Sequence, residues 1–254
     1  MHTAESADGT VIAYDRTGDG PALVVCVGAL GNRQSFAPPP KLTAAFTVYT
    51  YDRRGRGDSS DTPPYAPKRE YEDLAAVIAA TGERPFVFGH SSGAAIALRA
   101  AAAGVPMRAV TAYEASFGNP SATTEAAAHI RDLIRRDRRD DAVMFWLTDV
   151  LRAPDDVVAL VRHGPWLKGL AVLSHTLPYD LAVTAGPMPA AELAAIDVSV
   201  LLLSGSDSHE WFHRTVTEQA AVIPNARLEM IDGYDHNAPP EVITPYLLEF
   251  FPTN

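Results

Sequence analysis

Short apolar runs alternate along this chain with longer alanine-rich stretches, and that rhythm constrains the fold more than any other feature. Strand candidates fall at 11–14, 22–27, 47–51, 85–88, 109–113, 198–203 and 227–231, most of them bounded by Gly, Pro or Asp. Helical candidates lie between them, at 69–81, 92–103, 211–222 and 241–251. Strands alternating with helices predict an α/β domain, a mostly parallel, doubly wound sheet with helices on both faces. The first two candidates are joined by a short glycine-rich connection and are expected to open the sheet as an antiparallel pair. The rhythm then breaks between 118 and 193, where no strand run occurs. Ile130, Leu133 and Ile134 recur there at helical spacing, followed by Val143, Trp146, Leu147 and Val150. A helical insertion between two parallel strands predicts a lid over the sheet's carboxyl edge. The expected division is a core of residues 1–117 and 194–254 and a lid of residues 118–193. Phe145, Trp146, Trp166 and Tyr179 give that lid candidate pocket-lining side chains, with packing of lid helix on lid helix the equal alternative.

The 254 residues suffice for one such domain with its insertion. Thirty-one acidic against twenty-one basic side chains leave a formal net charge of −10, which argues against a nucleic-acid partner. The densest basic run, 131–139, is broken by Asp132 and Asp137 and reads as a solvated helix face. The single cysteine, Cys26, excludes an intrachain disulfide and sits in the apolar run 23–27 as a buried thiol. The opening residues have neither a basic start nor an apolar stretch, and no uncharged apolar run reaches the ~18 residues of a membrane span, so a cytoplasmic, non-membrane protein is expected. Sequence alone leaves the oligomeric state open.

The most informative segment runs Phe86-Val87-Phe88-Gly89-His90-Ser91-Ser92-Gly93-Ala94-Ala95. It places G-x-S-x-G between an apolar strand and an alanine-rich helix, the context that makes this short pattern meaningful. A serine on a sharp strand-to-helix turn is exposed, and crowding on both sides explains the small residues at Gly89 and Gly93. The same turn aims the Ser92 N–H and the helix N-terminus at a developing oxyanion.

On these residues the chain resembles the α/β-hydrolases over nearly its whole length. Val24-Val25-Cys26-Val27-Gly28-Ala29-Leu30-Gly31 stands where that family carries its oxyanion loop, and Asp52 to Ser59 resembles its D-x-R-G-x-G-x-S turn. The family often has His-Gly in the oxyanion loop; here Val27-Gly28 replaces it, and the Ala29 backbone N–H can still serve as second donor. Chain order implies His236, in Gly233-Tyr234-Asp235-His236 after the last strand, as general base to Ser91. The acid has two candidates. Relatives usually place it in a G-x-x-D turn, which here reads Gly205-Ser206-Asp207-Ser208, with the aspartate one residue early. The alternative position follows the preceding strand, as in haloalkane dehalogenases, and is held by Glu114 in Ala112-Tyr113-Glu114-Ala115-Ser116. A glutamate ending an apolar strand is costly unless paired, so Glu114 is preferred over Asp207.

The resemblance implies a serine hydrolase acting without cofactor on an ester-type bond (carboxylester, thioester or lactone) of a small, largely apolar substrate. The alternative is a catalytically weak small-molecule receptor or auxiliary protein on the same fold. A rival signal is His209-Glu210-Trp211-Phe212-His213, which matches the H-E-x-x-H zinc pattern. No third ligand stands at recognisable spacing, so no metal is expected.

Overall fold

The structure is a computed structural model that describes residues 1–252. Eight strands form one sheet: β1 (His2–Glu5), β2 (Val11–Thr17), β3 (Ala22–Cys26), β4 (Thr47–Tyr51), β5 (Phe86–His90), β6 (Ala109–Tyr113), β7 (Ser199–Gly205) and β8 (Ala226–Ile231). Their spatial order is β1-β2-β4-β3-β5-β6-β7-β8, parallel from β4 to β8 and antiparallel at β1–β2 and β2–β4. Helices α1 (Pro40–Thr43), α2 (Pro67–Thr81) and α3 (Ser92–Ala102) follow β3, β4 and β5. Between β6 and β7 come α4 (Thr124–Arg135), α5 (Arg139–Phe145), α6 (Asp155–His163), α7 (Trp166–Leu173), α8 (Leu177–Thr184) and α9 (Ala190–Ala194). Helices α10 (Glu210–Val222) and α11 (Pro240–Phe250) follow β7 and β8.

The antiparallel opening differs from the expectation. Residues 11–14 do not pair with 22–27; β2 pairs with β4 and with a strand the sequence pattern did not reveal, β1. The reason lies in burial. All five residues of β3 are buried, as befits a strand covered on both faces between β4 and β5, whereas β2, one strand in from the sheet's edge, ends in half-exposed and exposed residues.

Period-two alternation divides the core between the two faces. Val24, Cys26, Val87, Val110 and Leu202 pack under α2 and α3, while Leu23, Val25, Phe86, Phe88, Leu201 and Leu203 pack with Leu247 and Phe251. A third cluster belongs to the insertion itself, built from Ile130, Leu133, Val143, Trp146, Leu147, Val150, Leu173, Leu177 and Leu181, and it takes in Leu30 from the loop after β3. The basic run 131–139 lies on the surface and pairs locally with Asp132, Asp137 and Asp141. Among the described residues, no helix is long and apolar enough to cross a membrane.

The carboxyl ends of β3, β5, β6, β7 and β8 share one edge of the sheet. Register places His90 beside Tyr113, Tyr113 beside Leu203 and Gly205 beside Ile231. The residues that follow these positions are therefore neighbours in space, where ligands bind in open parallel sheets.

Candidate active site

Ser91 occupies the turn between β5 and α3 with φ 57° and ψ −124°, a conformation that L-residues rarely adopt. Its geometry explains both flanking glycines. A Cβ on Gly93 would overlap the Cys26 carbonyl, and one on Gly89 would lie 2.6 Å from the Cα of Ala94. The Ser91 N–H donates to Tyr113 O (2.9 Å), and its carbonyl receives Ala95 N–H (3.1 Å), which locks the turn to β6 and α3. Its hydroxyl lies 3.0 Å from the Ser116 hydroxyl, and His236 is not among its hydrogen-bond partners. Ser116 carries no motif that singles it out in the sequence. It reaches Ser91 because it stands three residues past the end of β6, the strand beside β5.

His236 comes from the loop after β8. Its Nδ1 donates to Glu114 Oε2 at 2.6 Å. The other carboxylate oxygen, Oε1, accepts from Ser204 Oγ (2.8 Å) and Gly205 N–H (2.9 Å), so the fully buried Glu114 side chain is held at three points. Burial pushes the Glu114 carboxyl up, but the bonds from His236 and the Gly205 N–H outweigh it and leave it below the usual glutamate range. A carboxylate at Nδ1 fixes the proton there and leaves Nε2 as the ring's acceptor. Phe212 stacks on the imidazole at 4.5 Å and 19°. His90 donates from Nε2 to His236 O (2.9 Å); burial, then the proximity of His236, lowers it to about 3, so it stays neutral. The Tyr113 hydroxyl donates to Asp235 O and pins the same loop. Asp207 is exposed and accepts from Ser206 Oγ, while its N–H donates to Tyr234 O.

Ala29 follows Gly28 in the loop after β3, packed so closely on the turn that a Cβ on Gly28 would lie 2.8 Å from that of Ser91. Neither the Ala29 N–H nor the Ser92 N–H has a backbone acceptor among the described residues. Leu30, Ser91 and Glu114, three of the five non-glycine residues with positive φ among the described residues, all border this place, a clustering of backbone strain typical of functional sites. Beneath it lies a buried ionic cluster. Asp180 of α8 accepts from Arg53, Arg56 and Ser92, and Glu70 of α2 takes the rest of the Arg53 guanidinium.

A cavity of about 570 Å³ opens from the Gly28–Leu30 loop beneath the insertion. Trp146, Leu147, Leu151, Val157, Val161 and Leu170 form its roof, with Phe36, Phe88 and Ile243 opposite. Of the four aromatic side chains expected there, only Trp146 lines it, carried on a π turn, Trp146–Val150. Phe145 packs on His129 (4.5 Å), because consecutive helical residues point about 100° apart. Trp166 is 52% exposed on the outer surface, and Tyr179 stacks on Tyr65 at 3.9 Å and donates to Asp61. Leu151 and Trp146 line both this cavity and a separate small pocket that borders Ser91 and Ser116.

The His209/His213 pair is engaged with backbone: Nε2 of each donates to a carbonyl, that of Arg152 and that of Gly205 respectively, at 2.8 Å. Among the described residues no group of three or more His, Cys, Asp or Glu side chains is placed to hold a metal ion.

The family model of the alpha/beta hydrolases matches residues 23–242, and the chain belongs to that family. Among solved structures it is similar to an α/β hydrolase from Sphaerobacter thermophilus, with 42% identity and a TM-score of 0.92 over 99% of this chain and 100% of that one. A thermophilic esterase from Thermogutta terrifontis shares 21% identity at a TM-score of 0.74, covering 98% of this chain and 97% of the esterase. An enol-lactonase from Burkholderia xenovorans shares 21% at 0.69, covering 98% and 96%. At that identity the last two speak for the fold.

Proposed function

We propose that the protein is a serine hydrolase that cleaves an ester-type acyl bond of a small, largely apolar substrate through Ser91, His236 and Glu114. The observation that carries this reading is the 2.6 Å bond from His236 Nδ1 to the buried Glu114, beside a serine in strained elbow geometry. The insertion acts as the lid, and its aliphatic roof receives the apolar part of the substrate.

Turnover begins when the Ser91 hydroxyl turns from Ser116 to His236 Nε2. Nε2 takes the proton as Oγ attacks the carbonyl carbon, and the Ala29 and Ser92 N–H groups stabilise the oxyanion. Collapse of the tetrahedral species breaks the ester C–O bond, and His236 returns the proton to the departing alkoxide. Water then attacks the acyl-enzyme by the same route, which releases the acid and restores Ser91. Carboxylesters, thioesters and lactones all meet this geometry.

One observation favours a second reading, a receptor with weak catalysis: the Ser91 hydroxyl rests on Ser116 rather than on His236. Apo sites often hold looser catalytic hydrogen bonds than working ones, so hydrolysis remains the first reading. Initial rates across p-nitrophenyl esters of increasing chain length, thioesters and lactones test it. The expected result is turnover of neutral apolar esters that disappears in Ser91→Ala. Turnover that survives this change contradicts the mechanism, and a folded, inert wild type that binds apolar esters supports the receptor.

A further inference from the structure

We propose that Asp180, carried by α8 of the insertion, is a positioning residue that sets the oxyanion hole through Arg56; this rests on the serine-hydrolase reading. The carbonyl of Gly28 and the N–H of Ala29 belong to the same planar trans peptide, so they point in opposite directions. Arg56 Nη1 donates to Gly28 O at 2.7 Å and to Gly31 O at 3.1 Å. It thereby draws the carbonyl away from the site and turns the Ala29 N–H the other way. Arg56 is itself oriented by Asp180, whose two oxygens accept from its Nη2 at 2.9 and 2.8 Å.

The second donor is tied to the same carboxylate. Ser92 Oγ donates to Asp180 Oδ1 (2.7 Å), and Arg53 Nη1 donates to both Asp180 Oδ1 (2.7 Å) and Ser92 Oγ (3.0 Å). One buried side chain from the insertion thus stands a single contact from the residue that bears the second N–H, and two from the peptide that bears the first.

Arg56 is 1% exposed, and its two Nη atoms divide between the Asp180 carboxylate and the Gly28 and Gly31 carbonyls. A guanidinium is suited to this task, since its rigid fork fixes both carbonyls relative to the carboxylate. Arg53 and Arg56 occupy variable positions of the Asp52–Ser59 turn, so the motif alone does not announce the network.

Asp180→Asn and Arg56→Lys test the proposal, with Asp73→Asn as control. Asp73 is also fully buried and pairs with Arg54 of the same turn, but it touches neither oxyanion peptide. Each folded variant is assayed for kcat and KM on a neutral ester and for inhibition by an alkylboronic acid, which forms a tetrahedral adduct on the serine. Loss of one aligned oxyanion donor predicts a fall in kcat of roughly 100-fold in Asp180→Asn and Arg56→Lys, with KM within about threefold and boronate affinity falling in step. Asp73→Asn is expected to keep kcat within about threefold even if its melting temperature drops. If Asp180→Asn fails to fold, Arg56→Lys decides. Ser91-dependent turnover with wild-type kcat and boronate affinity in the folded variants overturns the positioning role alone. Turnover that survives Ser91→Ala in the same assay overturns the serine mechanism beneath it.

Discussion

Replacing Glu114 by glutamine changes one atom and reverses the polarity of the His236 contact. The present carboxylate accepts three hydrogen bonds, two on Oε1 from Ser204 Oγ and Gly205 N–H and one on Oε2 from His236 Nδ1. An amide keeps its oxygen where two donors converge, so its NH2 group faces the imidazole. His236 Nδ1 must then accept, and the neutral ring carries its proton on Nε2, the nitrogen that has to receive one from Ser91. Glu114→Gln is therefore expected to lower kcat by roughly 10³–10⁴-fold, about 4–5.5 kcal/mol of barrier, with little change in KM. Steady-state hydrolysis of a short p-nitrophenyl ester measures this, with circular dichroism to verify folding. Asp207→Asn, which alters an exposed carboxylate outside the His236 hydrogen bond, is expected to stay within about threefold of wild type. A folded Glu114→Gln within about tenfold of wild type refutes the assignment, as does a comparable loss in Asp207→Asn.

Ser116→Ala removes the competing partner of the Ser91 hydroxyl; a net hydrogen bond of about 1 kcal/mol predicts kcat unchanged or raised up to about fivefold. A loss beyond about tenfold in that variant assigns Ser116 a direct part in the chemistry. Trp146→Ala should lower kcat/KM for an octanoate ester by roughly 10–100-fold relative to an acetate ester, because the indole lines the cavity; equal losses on both substrates contradict that placement. His90 makes stability pH-dependent. Its folded value, about 3, lies below the unfolded value of 6.5, so the unfolded chain binds the extra proton between them. The stability His90 contributes is complete above pH 6.5 and falls by about 1.4 kcal/mol per pH unit below it. Urea unfolding at pH 7 and pH 5 should show a smaller difference in His90→Asn than in wild type, and an equal difference contradicts the attribution.

The sequence carried the layer architecture well, because hydrophobic period reports how a segment is buried. It does not report against what, and for that reason the insertion of β3 between β4 and β5 and the existence of β1 were not legible. Residues 118–193 show the same limit. Periodicity located the helices, but neighbouring Phe145 and Trp146 point to different surroundings, and only packing distinguishes the one lining the cavity. The Ser91 turn was readable because its constraint is local, with glycines demanded by backbone on both sides. The choice between Glu114 and Asp207 depends on β6–β7–β8 register, which brings Glu114 against Gly205 and His236 while Asp207 turns outward. The Asp180–Arg56–Gly28 chain joins residues far apart in sequence, and no short pattern encodes it.

The proposed mechanism requires His236 to activate Ser91. Treatment with a fluorophosphonate, followed by intact mass and peptide mapping, tests it most directly. One adduct per chain on the peptide containing Ser91, absent in Ser91→Ala and formed at least about a hundredfold more slowly in His236→Ala, is the predicted result. An adduct on another residue, or labelling of Ser91 at an undiminished rate without His236, contradicts the account.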